Sequence, residues 1–250
     1  MKANKFSYLG SVNSSAKIAK GDLINLDTYV LYLAPYKLSG HNTCSNASEY
    51  CVMGCLNTSG RVIMDTKNII QNSRIEKTKF LFSDRKAFTE ILIKEITKAK
   101  NKALANGKEF AIRLNGTSDI SPLFFQKNFK NILEIFSDCS FYDYTKVLNR
   151  AIIAQKFKNY HLTFSYSGTN WNECVKALTD FGINVSMVFN VKKGQPLPTE
   201  YKGFRVIDGD LTDDRPSDQN GVIVGLRFKK IKNKAIEKEV LNSPFVVSNF

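Results

Sequence analysis

The feature that most constrains this chain is an alternation of short β-branched and aromatic runs with segments whose apolar residues recur every three or four positions. Period-two and unbroken apolar runs mark strands, whereas spacing near 3.6 marks helices with one buried face. TYVLYLAPY (residues 28–36) reads as a first strand. Residues 83–106 read as a helix, with Phe88, Leu92, Ile96, Ala99 and Ala103 on its inward side and Asn106-Gly107 closing it. A strand at 109–115 follows, then a helix over 122–136 with Leu123, Phe129, Leu133 and Phe136 inward. The pattern continues with a strand at 140–144, the helix KVLNRAIIAQKF, the strand YHLTFSYS, the helix NWNECVKALTDFG, the strand INVSMVFN, and then GFRVIDGD and GVIVGLRFK.

Short, unalternating apolar strands separated by amphipathic helices predict an α/β fold with parallel strands covered by helices. The sheet is either closed as a (β/α) barrel or open and doubly wound. About seven strands without a Gly-rich dinucleotide fingerprint favour a barrel-like parallel sheet, incomplete or irregular in form. No linker or repeat divides the sequence, so residues 1–250 are expected to form a single α/β domain, with 1–21 as an irregular N-terminal arm.

A hydrophobic content of 43% excludes a disordered chain. No apolar run nears the roughly eighteen residues that span a bilayer, and the N-terminus lacks a signal-peptide core, which implies no membrane partner and a cytoplasmic location. The net charge of +13 is spread along the chain rather than blocked, as in Lys98, Lys100, Lys102 and Lys108. This fits either a solvated basic surface or a phosphate-bearing partner such as nucleic acid, with Tyr142, Tyr144 and Tyr166 available for stacking.

Three of the five cysteines, Cys44, Cys51 and Cys55, crowd into twelve residues just after the first strand. In a reducing compartment such a group fits thiolate ligation better than a disulfide framework. Thiolates suit iron–sulfur clusters or zinc. On a [4Fe–4S] cluster, three cysteines leave one position open for a substrate or cofactor, whereas a zinc site would recruit a fourth ligand, for which His41 is the candidate. Cys139 and Cys174 sit in apolar surroundings and are expected to pack as small hydrophobes, and His161 as a sheet histidine.

Polar residues gather at the strand ends, where parallel α/β folds build their sites. Asn115, Gly116, Thr117, Ser118 and Asp119 follow one strand, and Lys146 follows the next. Ser165 ends another, and Asp208, Asp210, Asp213, Asp214 and Arg215 cluster late in the chain. Of these, Asp119, Lys146, Asp208 and Asp210 are the catalytic candidates, while Asn115 to Ser118 and Ser165 are candidates for holding a cofactor. The aspartate run also fits a solvated turn network, and it lacks the ligand spacing of an EF-hand.

The cysteine loop ending in SGR, followed by RLNGTSDIS, FYDYTK, YHLTFSYSGTN, VIDGD and GVIVGL, resembles the bacteriophage gene product 88-like family, whose function is uncharacterised. That family in turn resembles radical S-adenosylmethionine enzymes, whose barrel carries a three-cysteine loop after the first strand and a polar cofactor turn after the second. The resemblance implies that Cys44, Cys51 and Cys55 ligate a [4Fe–4S] cluster and that its open iron takes S-adenosylmethionine. It further implies that residues 115–119 touch the cofactor's amine and that an unknown substrate reacts there. The cysteine spacing, with six and three residues between ligands, is wider than is usual in that class, and Asn-Gly-Thr-Ser stands where Gly-Gly-Glu is common.

Overall fold

The computed structural model describes residues 8–10 and 17–250. β1 (Leu9–Gly10) and a 3-10 helix at Ile18–Ile24 lead into β2 (Leu26–Leu31), every residue of which is buried. After the cysteine loop come α1 (Glu49–Met53), α2 (Ile69–Ser83), α3 (Arg85–Ala105) and β3 (Glu109–Arg113). A short hairpin of β4 (Gln126–Lys127) and β5 (Lys130–Asn131) precedes α4 (Ile132–Ile135) and β6 (Ser140–Thr145). Then follow α5 (Leu148–Ala154), β7 (Tyr160–Ser165), α6 (Trp171–Asp180) and β8 (Val185–Phe189). The chain ends with β9 (Glu200–Tyr201), β10 (Phe204–Asp208), β11 (Ile223–Arg227), α7 (Lys234–Leu241) and β12 (Val246–Val247).

The chain falls into two compact units: Met1–Ser45 with Asp65–Asp143, and Asn46–Met64 with Tyr144–Phe250. In the first, β2 is flanked by antiparallel β1 and parallel β3, and β3 pairs in parallel with the start of β6. The stripe expected on α3 is its buried face, with Phe88, Leu92, Ile96 and Ala103 fully enclosed. Each such large side chain contributes about 1.5–3 kcal/mol of burial. Asp84 stops α2 and starts α3, its carboxylate accepting the Ala87 N–H at 2.9 Å.

In the second unit β7, β8, β11 and β10 run parallel in that order, with β9 antiparallel at the β10 edge. β12 pairs in parallel with the last residues of β8, Val188 and Phe189, beyond the part of β8 that β7 covers. α6 buries Cys174, Ala177 and Leu178, one face at helical spacing.

The architecture is therefore mixed α/β with mostly parallel strands, as expected, but the strands do not close a barrel. Antiparallel β1 terminates the strand order in the first unit, and antiparallel β9 does so in the second. The expected helix over 122–136 is also replaced. Asn128 and Phe129 both adopt positive φ (50° and 63°), the backbone of a tight hairpin turn, which joins β4 to β5 and leaves the Phe129 ring fully exposed. Asn131 and Glu134 then form a capping box that restarts the chain as the single turn of α4. Within the expected irregular arm at 1–21, Leu9–Gly10 is a strand and 18–21 open the 3-10 helix, while 1–7 and 11–16 lie outside the described residues. Among the described residues, no helix is long and apolar enough to cross a membrane.

Candidate functional site

In the first unit the turn after β3 is built around Asn115. Its Oδ1 accepts the Ser118 hydroxyl at 2.9 Å and the Ile120 N–H at 2.8 Å, while Nδ2 donates to Ile120 O at 2.9 Å and to Asp143 Oδ2 at 3.0 Å. A side chain with both donors and its acceptor in use holds one conformation. Gly116 is required by space: a Cβ there would lie 2.5 Å from the Tyr32 ring and 2.7 Å from Val30. Thr117 Oγ1 donates to Leu33 O at 2.6 Å, fastening the turn to the chain leaving β2.

Thr43 and Cys44, which open the cysteine loop, lie on this turn. Thr43 O accepts the Asp119 N–H at 2.8 Å, and Cys44 Sγ lies 3.9 Å from Thr117 O. Cys44 Sγ also accepts the Tyr36 N–H at 3.4 Å, from a tyrosine whose φ of 37° is strained for a residue with a bulky side chain. Cys44 and Thr117, 73 residues apart in sequence, are thus neighbours. His41 is exposed and stacks face to face on Phe82 at 4.3 Å.

Beneath the turn, Asp143 is wholly buried. Burial pushes its carboxyl up to about 7, against the opposing pull of the Arg113 charge and of the hydrogen bonds from Asn115.

The second unit carries the remaining candidates. Ser48 caps α1, accepting the Cys51 N–H at 3.2 Å and donating to Ser167 O at 2.8 Å, so the helix bearing Cys51 is tied to the segment following β7. Cys55 Sγ accepts the Asn57 N–H at 3.5 Å, and Lys146 O receives Asn46 Nδ2–H at 3.4 Å. Ser165 and Ser186, side by side on β7 and β8, bond through their hydroxyls at 3.0 Å.

Asp208 and Asp210 are engaged by one cation. Arg227 forms a two-pronged pair with Asp208, both contacts at 2.8 Å, and reaches Asp210 at 3.4 Å. Arg215 is fully buried, pairs with Asp218 at 3.2 Å and donates to Thr212 O, which makes the aspartate run largely a turn network. Burial pushes the Cys139 and Cys174 thiols up to about 11 and about 12, so both are packed and inert. His161, part-buried on β7, is held below the usual imidazole range by burial and by Arg215.

The donors fit a soft metal in kind: three thiols, none in a disulfide, two of whose sulfurs accept a backbone N–H as metal-bound thiolates do. Among the described residues, no three His, Cys, Asp or Glu side chains are grouped so as to hold a metal ion.

Arg74 and Lys77 were invisible to sequence reading. They lie on the inward face of α2 with Thr78 and Leu81, and both are buried. A helix whose inward face is mostly polar leaves no apolar period to detect.

Fold and turn together define a mixed α/β protein in which Thr43 and Cys44 are seated on a polar strand-end turn. The chain belongs to the phage gene product 88 family: the model described as Gene product 88 matches residues 9–240. No curated protein and no solved structure matches it.

Proposed function

We propose that this protein carries a thiolate-held iron–sulfur centre on Cys44, Cys51 and Cys55 and acts in the host cytoplasm as a radical S-adenosylmethionine-like enzyme on a substrate still to be identified. The observation that supports this most is the seating of Cys44 against the turn at 115–119, which joins a soft ligand to a rigid set of polar groups. A cluster with one position free of cysteine supplies one-electron chemistry and a docking point for a cofactor. The chain's own part is binding and orientation. Asn115 fixes the turn through the Ser118 hydroxyl, Gly116 keeps it flush with Tyr32, and the Thr117 carbonyl lies beside the Cys44 sulfur.

Asp119 and Lys146 are both part-exposed and suit proton transfer, and Ser165 suits hydrogen bonding to a bound cofactor. Asp208 and Asp210, neutralised by Arg227, suit fixing the ends of β10 and β11 better than acid–base work. His41, stacked on Phe82, is the less natural fourth ligand.

A second reading is a basic nucleic-acid-binding or replication-associated protein with a structural zinc. The net charge of +13 favours it, as does a mixed aromatic and cationic surface in which Lys202 Nζ lies 4.7 Å over the Trp171 ring and 5.5 Å over that of Tyr201. Binding of that kind weakens steeply with salt.

Metal and sulfide analysis, with an absorbance spectrum, on protein purified without oxygen separates the two readings. Iron with matching sulfide, lost in Cys44→Ala, supports the cluster. One zinc and no sulfide moves the weight to nucleic acid, and protein without metal overturns both as stated.

A further inference from the structure

α2 turns two cations inward. Arg74 and Lys77, one turn apart on the same helix face, are each about 7% exposed. Like charges three residues apart repel, and burial removes the water that would screen them. The Glu95 charge draws the Lys77 amine upward, but its oxygens make no ion pair with Lys77 and accept the Tyr8 N–H at 3.0 and 2.9 Å and the Leu9 N–H at 2.8 Å. Lys77 makes no hydrogen bond or ion pair with any described residue. Its amine is held down to about 8, first by burial and then by Arg74.

The pair borders the polar turn. The Arg74 guanidinium lies 5.0 Å from the Tyr32 ring centroid, and that ring is the one packed against Gly116. Thr78, the next residue of the same face, accepts the Ala34 N–H at 2.8 Å and donates to Arg74 O, which fixes the helix against the chain leaving β2.

A side chain about nine-tenths buried, its ammonium without a hydrogen bond or ion pair among the described residues, beside a buried guanidinium and behind a rigid polar turn, is what an incoming oxyanion would complete. We propose that Arg74 and Lys77 form a binding site for a small ligand's phosphate or carboxylate group, with Lys77 supplying an ion pair that no described residue makes with it. The site stands independently of the metal. Side chains this little exposed suit a small or terminal oxyanion better than the backbone of a duplex, which stays on the protein surface.

The test uses the full-length protein labelled at lysine Cε, with the Lys77 resonance assigned by its loss in Lys77→Met. Inorganic phosphate, acetate and a short single-stranded oligonucleotide are titrated separately, and the Lys77 titration midpoint is followed. Phosphate or acetate is expected to move the midpoint upward by a pH unit or more, a tenfold change in proton affinity, and to slow acylation of Lys77 by an amine reagent at least tenfold. A shift with the oligonucleotide alone assigns the same oxyanion site to a phosphodiester. A midpoint unmoved by all three overturns the proposal. Because Lys77→Met can be assayed for folding by circular dichroism and for metal and sulfide separately, failure here is distinguishable from failure of the metal centre.

Discussion

The Asp143 carboxylate and Asn115 meet in a paired contact: Oδ1 accepts the Asn115 backbone N–H at 2.8 Å and Oδ2 its side-chain N–H at 3.0 Å. This pair fixes where the 115–119 turn leaves β3. Because burial pushes Asp143 up to about 7, the folded protein retains a proton that the unfolded chain releases near the ordinary carboxylate range. The contribution of this carboxyl to stability is therefore largest below about pH 4, declines as pH rises towards 7, and is flat beyond. Over that window the decline is at most on the order of 4 kcal/mol. Asp143→Asn removes the titration but sets an amide N–H against the Asn115 donors, at a cost of about 1–3 kcal/mol. Urea unfolding of both proteins across the window should show the wild type's advantage at low pH shrinking as pH rises and, where the full decline is realised, reversing, and a constant difference would refute the assignment.

Gly116→Ala tests whether the turn must lie flush with β2. The added methyl group would fall 2.5 Å from two Tyr32 ring carbons, closer than real contacts allow. Moving a ring already packed beside Arg74 should cost about 1–3 kcal/mol, as overpacking does. Thermal unfolding measures the loss. An unchanged midpoint would mean that the ring moves freely, which would also weaken the rigid turn invoked for the cofactor.

Much of this arrangement was legible in the sequence because its signals are local. The α3 stripe from Phe88 to Ala103 is apolar at helical spacing and is buried as read. Cys44 and the turn at 115–119 were both read as strand-end features, and they do meet. What was missed follows from the same logic. α2 buries Arg74, Lys77 and Thr78, so its inward face looks like solvent-facing sequence. Phe129 fits the apolar period of a helix, yet it occupies a positive-φ turn that no side-chain pattern announces. The barrel-like closure failed because two antiparallel strands of only two residues each, β1 and β9, end the strand order, β9 folding back on β10 through a turn at Lys202 and Gly203, both at positive φ; elements so short carry no apolar period to read.

Ser48→Ala addresses the second unit. The hydroxyl both caps α1 through the Cys51 N–H and holds Ser167 O, so its loss leaves two backbone groups without their partner. About 1 kcal/mol of stability should go, with faster hydrogen exchange at Cys51 than in β8. If Cys51 holds a metal, retention should fall in the same variant. Exchange at Cys51 equal to the parent's would show that the cap contributes nothing to the helix.

Lys77→Met replaces a buried amine with an apolar chain of similar length. In the folded state Lys77 gives up its proton near 8, whereas the unfolded chain keeps it to about 10.4. Between those values the unfolded state binds the extra proton, so the wild type gains stability as pH rises, and below about 8 it carries the whole cost of a buried charge. In buffer free of phosphate and carboxylate, the variant should therefore be the more stable protein at neutral pH, by up to about 3 kcal/mol. That advantage should shrink between roughly pH 8 and 10. Denaturant midpoints for both proteins across this range decide the matter. A wild type that is the more stable at neutral pH would mean that the ammonium already has a counter-charge within the chain, which leaves no unpaired charge for an oxyanion to meet.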